Sequence, residues 1–248
     1  MDPLRRFSNR AADYALYRPS YPASAIEAIL EGLGAPESLA CADVGAGTGI
    51  SSRLFAERGL KVVAIEPNAA MIEAAGAHPN VEFRVGTAEE TGLGDGEVDL
   101  VTCFQSFHWF EPKPALREFR RVLKPSGRLA LVWNDRDRSD AVSDAYSEVV
   151  KAASRDHPAE RARREATDEV RDSGYFDWAE VRTFKNAQRL DLDGLIGRAE
   201  SSSYVPRDGP ENEKMREVLT EIWKRHRDEQ GFVQMGYVTN VYLAQPSG

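Results

Sequence analysis

The chain has 248 residues, 42% hydrophobic and 29% charged, which suits an ordinary globular protein of one α/β domain with extra elements. No apolar run is long enough to span a bilayer, and the opening MDPLRRFSNR has basic residues without an apolar core, so neither membrane segment nor secretory signal is expected. The net charge of −8 argues against an electrostatic grip on DNA or RNA. The two cysteines, Cys41 and Cys103, both in apolar stretches, predict a reduced, cytoplasmic protein with no disulfide framework and no metal cluster.

The first half alternates between helical and strand patterns. Residues 24–34 carry apolar side chains at helical spacing and end in glycine, and 38–45 is a short apolar strand. A helix over 49–59, a strand over 61–67, a helix over 68–77 and a strand over 81–86 follow. After the turn-rich GLGDGE come a strand over 98–106, a helix over 114–127 closed by Pro125 and Gly127, and a strand over 128–135. Strands alternating with helices predict a doubly wound, mostly parallel sheet. Residues 140–170 read as one or two polar helices, 178–190 holds a strand, and 191–210 a short helix and a loop. A long amphipathic helix over 211–231 and a strand over 232–245 complete the chain. No linker separates domains, so residues 1–248 are expected to form one domain.

The stretch CADVGAGTGI, residues 41–50, sets three glycines into five positions after a strand. The dinucleotide fingerprint needs G-x-G-x-x-G, but Gly45, Gly47 and Gly49 bring the third glycine one residue early, with Ile50 in its place. A phosphate loop would need a following lysine, and there is none. A tight strand–helix turn without any ligand remains the plain alternative. Asp43 ends the first strand, and Glu66, followed by Pro67, ends the second, where an acid can accept from both hydroxyls of a ribose.

The motifs DVGAGTG, AIEPNAAMI, VGTAEETGLGDGEVDLVTCFQSFHWF and RVLKPSGRLALVWN, in that order, resemble class I S-adenosylmethionine-dependent methyltransferases. Within these the chain is similar to the type 11 group and its trans-aconitate-methyltransferase-like relatives. The leader FSNRAADYALYRPSYP and the ending GFVQMGYVTNVYLA also resemble that subgroup. The resemblance implies a Rossmann-like sheet of seven strands with an antiparallel last strand. The aromatic, arginine and proline content of the leader (1–24) predicts a lid, ahead of a cofactor-binding core (25–135) and a C-terminal half (136–248) with substrate-side insertions. The resemblance also implies S-adenosylmethionine as cofactor, S-adenosylhomocysteine as product and a small-molecule acceptor, methylated on a carboxylate or hydroxyl oxygen. Neither nucleic acid nor membrane is an expected partner, and the chain is expected as a monomer or homodimer. A nicotinamide-dependent oxidoreductase and a non-catalytic binding protein of the same fold are the alternatives.

On that resemblance the cofactor meets Asp43, Gly45, Ala46, Gly47, Glu66, Pro67, Met71, Thr87, Ala88, Glu89, Phe104 and Gln105, while Arg18 meets its carboxylate. The acceptor side comprises Tyr14, Tyr21, His108, Trp109, Asn134 and Arg136. His108, just past the fourth strand, is the candidate general base, against a structural role hydrogen-bonded to its surroundings. Phe107 and Phe110 wall the pocket or belong to the core. Arg136 or Arg207 pairs with an acceptor carboxylate or is surface charge. The basic run RARR (161–164) reads as a solvated helix face, and Cys103 as a strand residue and not a nucleophile.

Overall fold

The computed structural model describes residues 11–154, 168–202 and 204–248. Helices α1 (Ala11–Tyr17) and α2 (Ala23–Leu30) lead into β1 (Ala40–Val44), α3 (Ile50–Ala56), β2 (Lys61–Ile65), α4 (Ala69–Glu73) and β3 (Val81–Arg84). Then come β4 (Val98–Phe104), α5 (Pro112–Val122), β5 (Leu123–Arg136) and α6 (Ala141–Ser154). The chain closes with β6 (Phe176–Leu190), α7 (Leu192–Glu200), α8 (Pro210–His226) and β7 (Val233–Pro246).

These strands form one seven-stranded sheet in the order β3-β2-β1-β4-β5-β7-β6. The pairs β1–β2, β1–β4, β2–β3 and β4–β5 are parallel. The last strand, β7, runs antiparallel to both its neighbours and slots between β5 and β6. β1 and β4 are buried along most of their length, as expected for parallel strands covered on both faces. Alternate residues feed two cores. Ala42, Val101, Leu131 and Trp133 pack with Phe107, Leu116 and Phe119 on the α5 side. Cys41, Leu100, Ala130 and Val132 pack with Ile26, Ile29 and Phe55 on the α2 and α3 side. A third cluster lies between α6, α7, α8 and β7, around Tyr146, Leu195, Leu219 and Tyr237.

Four boundaries differ from the sequence pattern. α1 forms in the leader, where no element was expected. α4 spans only Ala69–Glu73 instead of 68–77; the Asn68 side chain caps it by accepting from the Ala70 amide, and Gly76 and Pro79 disfavour its continuation. α5 stops at Val122, before Pro125 and Gly127, because Leu123 already pairs with Val98. β5 therefore begins five residues before position 128, and its register with β4 shifts near Leu100 as the chain passes those turn residues. α6 accounts for the start of the polar stretch 140–170, whereas RARR (161–164) lies outside the described residues. Cys41 and Cys103 are both buried and free. Among the described residues no helix is long and apolar enough to cross a membrane, and no three His, Cys, Asp or Glu are grouped to hold a metal ion.

Candidate functional site

The chain winds from β1 outward through β2 to β3, then returns to place β4 on the other side of β1. The order reverses between β1 and β4, and the loops at their carboxyl ends diverge there, which is where open α/β sheets bind ligands. The glycine loop leaves β1 at this point and FQSFHW leaves β4 beside it.

The two loops are closely fitted. Gly45 has φ +68°, and a Cβ there would stand 2.6 Å from Ser106 Cβ, so the contact excludes any side chain at 45. Ser106 in turn donates its hydroxyl to the Val44 carbonyl at 2.8 Å. Gly49, at φ +72°, is the N-cap of α3, and a Cβ on it would lie 2.7 Å from the Phe83 ring. The early third glycine thus serves the turn into α3, whose first residue is Ile50. Among the described residues Gln105 is the one non-glycine residue with positive φ, +56°, held there by its amide on the Val132 carbonyl at 2.9 Å and its side-chain Nε2 on the Asn134 carbonyl at 3.1 Å. A left-handed glutamine carries backbone strain, and it sits at the switch point.

Asp43 works behind this loop. It is fully buried and accepts from the hydroxyls of Ser51 and Ser52, each at 2.6 Å, and of Thr102 at 2.9 Å. The carboxylate therefore ties the first turn of α3 to β1 and β4. Burial raises its pKa, with the three hydroxyls opposing that rise. Glu66 stands at the end of β2, 8% exposed, taking the Gly47 amide on Oε2 at 2.8 Å and the Asn68 amide on Oε1 at 2.9 Å. Burial raises its pKa too, against the pull of those two amides. Pro67 follows it, and Met71 is buried with its Cε 3.2 Å from where a Gly47 Cβ would be.

A cleft of ≈ 430 Å³, counting its open mouth, is lined by Tyr14, Arg18, Tyr21, Gly45, Ala46, Phe104, Gln105 and Arg198, among others. Seven of these were expected from the sequence; Arg198 was not, because GLIGRAE reads only as a short helix. The leader closes one side. The Arg18 guanidinium lies 4.7 Å from the Tyr14 ring centroid, and Tyr21 stacks edge-on against Phe104 at 4.6 Å. Ala88 is buried in the core on the α5 side. Thr87 closes a turn with Glu90, and Glu89 accepts the Glu111 amide at 2.9 Å.

The remaining predicted residues occupy other surroundings. His108 lies in a short 3-10 turn with Phe107 and Trp109; its Nδ1 accepts from the Trp133 indole N–H at 3.4 Å, and its ring lies 4.8 Å from the Trp109 ring. Phe107 is core, packed against Phe110 and Phe119. Asn134 is buried, donating to the Ser20 carbonyl at 3.1 Å and accepting from Thr239 at 2.5 Å, so its amide ties the leader to β5 and β7. Arg136 donates to the Ser147 hydroxyl at 2.7 Å and lies 5.5 Å from the Tyr146 ring centroid. Arg207 pairs with Asp13 of α1.

Comparison with known proteins agrees with this geometry. Residues 42–131 match the type 11 family model described as a methyltransferase domain. An uncharacterized methyltransferase of Schizosaccharomyces pombe is 34% identical over 223 residues, 89% of this chain and 88% of its own. Among solved structures, a proposed type II methyltransferase from Anaeromyxobacter dehalogenans has a TM-score of 0.65 at 24% identity, covering 92% of this chain and 97% of that one. Geranyl diphosphate methyltransferase in complex with S-adenosylmethionine has a TM-score of 0.50 at 19% identity, over 91% of this chain and 85% of that one. The chain belongs to the type 11 methyltransferase family and has the class I S-adenosylmethionine-dependent methyltransferase fold.

Proposed function

We propose that the chain binds S-adenosylmethionine across the β1–β4 switch point and methylates an oxygen atom of a small-molecule acceptor. The observation that carries this reading is Glu66. Each of its carboxylate oxygens accepts one backbone amide, which leaves acceptor capacity on both for the two hydroxyls of a ribose. The pair of acceptor oxygens thus fits an adenosine ribose, and the loop over 45–49 itself carries no lysine or other cation, as a cofactor without phosphate requires. When bound, S-adenosylmethionine supplies a methyl group on a sulfonium, already electrophilic and in need of no metal.

The protein's task is then orientation and exclusion of water. Holding an acceptor in line can contribute ~7–11 kcal/mol of the barrier. Tyr14, Tyr21 and Phe104 give the cleft aromatic walls, and Gln105 and Ala46 border it where β4 and β1 end. His108 fits the role of hydrogen-bond donor better than that of base. Its Nδ1 lone pair accepts from the Trp133 N–H at 3.4 Å, so that nitrogen is occupied and cannot also take a proton from an acceptor. An acceptor oxygen that is already ionised matches a site without a base.

Calorimetric titration with S-adenosylmethionine, S-adenosylhomocysteine and NADH tests the assignment. Both adenosyl ligands are expected to bind and NADH is not. Tight NADH binding with no adenosyl ligand bound would overturn it in favour of an oxidoreductase.

A further inference from the structure

Two arginines, Arg18 and Arg198, line the cleft, and they belong to a wider cluster of cations. Arg18 from the leader, Arg136 from the end of β5 and Arg198 from α7 converge on Tyr146 of α6 and Tyr204, just after α7. Among the described residues none of the three guanidiniums has a carboxylate within ion-pair distance; their contacts are to neutral groups. Arg18 Nη2 donates to the Ser201 carbonyl at 3.1 Å, Arg136 Nε to the Ser147 hydroxyl at 2.7 Å, and Arg198 Nε to the Tyr237 hydroxyl at 3.3 Å.

Arg198 is 6% exposed and Tyr146 fully buried, yet Arg198 Nη1 and Tyr146 Oη, like Arg18 Nε, have no hydrogen-bond partner among the described residues. Buried donors are almost always satisfied, and like charges gathered out of water repel each other. The field of the cluster reaches its tyrosine: burial would raise the Tyr204 phenol, but Arg18, Arg136 and Arg198 draw it down to about 8. Burial and the nearby charge of Arg198 also lower the Arg18 pKa. An anion with several acceptor oxygens satisfies such donors and offsets their charge at once, where water satisfies the donors alone.

We propose that Arg198, Arg136 and the Tyr146 hydroxyl form an oxyanion site that anchors a carboxylate or phosphate group of the methyl acceptor. Calling the ligand the acceptor rests on the methyl-transfer reading; the anion site itself does not. Arg198 is held for the task by a relay: its Nε meets the Tyr237 hydroxyl, which donates to Gln188 Oε1 at 3.4 Å, whose Nε2 donates to the Tyr17 carbonyl of the leader at 2.9 Å. The anchor thereby lies next to the segment that covers the cleft, and filling it neutralises the repulsion between the leader's Arg18 and Arg198.

The test is calorimetric titration of the full chain, with and without saturating S-adenosylhomocysteine. The probes are benzoate, hexanoate, glutarate and phenyl phosphate, each beside its uncharged counterpart (benzamide, hexanamide, glutaramide, phenol). At least one oxyanion is expected to bind more tightly than about 10 mM, and its neutral counterpart about tenfold or more weaker. Arg198→Met and Arg136→Gln should each weaken that oxyanion about tenfold, Arg198→Lys less, and S-adenosylhomocysteine affinity should move less than about threefold in all three. Arg136 is half-exposed, so Arg136→Gln decides the matter if Arg198→Met does not fold. The proposal is overturned if no oxyanion binds the unaltered chain, if neutral counterparts bind equally well, or if both arginine variants keep full oxyanion affinity. It is also overturned if Arg198→Met weakens S-adenosylhomocysteine as much as the oxyanion, since the site would then be the cofactor carboxylate's. Oxyanion binding with no adenosyl ligand bound would leave the anion site standing and remove the methyl-transfer reading.

Discussion

At the scale of single residues, two side chains in the site carry opposite expectations. Glu66 is acceptor-only when ionised, so replacing it with alanine removes two charged hydrogen bonds to a ribose and should weaken S-adenosylhomocysteine by ~1–3 kcal/mol. Its pKa is raised, chiefly by burial, so it takes up a proton at a higher pH than an exposed glutamate does. Affinity should therefore fall as the pH drops through that raised value, and the fall should be absent from Glu66→Ala; calorimetry across pH measures both. His108 was legible as a site candidate because it follows β4, but its partner was not, since Trp133 is 25 residues away in sequence and meets it only across the sheet. If the ring is a donor, His108→Ala should raise KM with a modest change in kcat and no recovery at high pH. Loss of kcat by ~10²–10⁴ with recovery at high pH would instead make it a general base. Asp43 shows the same limit of the sequence. Its position marks the loop, but only the folded chain reveals that Ser51, Ser52 and Thr102 occupy its carboxylate.

At the scale of elements, the alternating pattern reads well wherever an element has one buried face and clear stops. α2, β1, α3 and β2 are examples, and their ends lie beside glycine or proline. It reads poorly where tertiary contact decides. α1 forms although its sequence has little apolar periodicity, with its Tyr17 ring packed against Gly197 of α7, and β5 starts early because Leu123 pairs with Val98. The loop between β3 and β4 is another case, fastened by one carboxylate on α5. Glu118 accepts from the Thr91 amide at 3.0 Å, its hydroxyl at 2.6 Å, and Arg121 Nε and Nη2 at 2.8 and 2.7 Å. Burial alone would raise its pKa, but Arg121 and Thr91 lower it to about 2. A depressed carboxyl stabilises the fold above its unfolded value, near 4.3, and that contribution is lost as the pH falls towards 2. The Glu118 side chain is 10% exposed, so solvent screening is limited. Glu118→Gln should lower stability at pH 7 by about 1–3 kcal/mol and flatten the decline between about pH 4.5 and 2, read from urea unfolding at each pH. An unchanged acid limb would show that the loop is held by its backbone contacts alone.

For the whole molecule, the fold class was legible because a parallel sheet imposes its own alternation on the chain, whereas the seating of β7 between β5 and β6 was not. Strand order is fixed by pairing between distant segments, and neither neighbour is marked in the sequence of β7. That seating has a consequence for the leader. It brings Asn134 of β5, its cross-strand partner Thr239 of β7 and Asn186 of β6 close together, and the two asparagines donate to the Ser20 carbonyl at 3.1 and 2.8 Å. Gln188 holds the Tyr17 carbonyl, and the Tyr17 ring lies so close to Gly197 that a Cβ there would be 2.4 Å away. The leader is thus pinned at one end to the antiparallel half of the sheet, while Tyr14 reaches the glycine loop at the other, 3.8 Å from the site of a Gly47 Cβ. We propose that residues 11–21 act as a lid hinged on these two asparagines. Ligand bound beneath them adds contacts only in the closed position, so it should slow amide exchange in this segment beyond any change in the central strands. Asn134→Ala removes one of the two donors to Ser20; it should speed exchange over residues 11–21 in the free protein and raise the S-adenosylhomocysteine dissociation rate by about 3- to 10-fold, with the association rate nearly unchanged. Hydrogen-exchange mass spectrometry and stopped-flow displacement read the two effects. Equal protection of residues 11–21 with and without S-adenosylhomocysteine would make the leader a fixed wall of the cleft, and a dissociation rate unaffected by Asn134→Ala would place the hinge elsewhere.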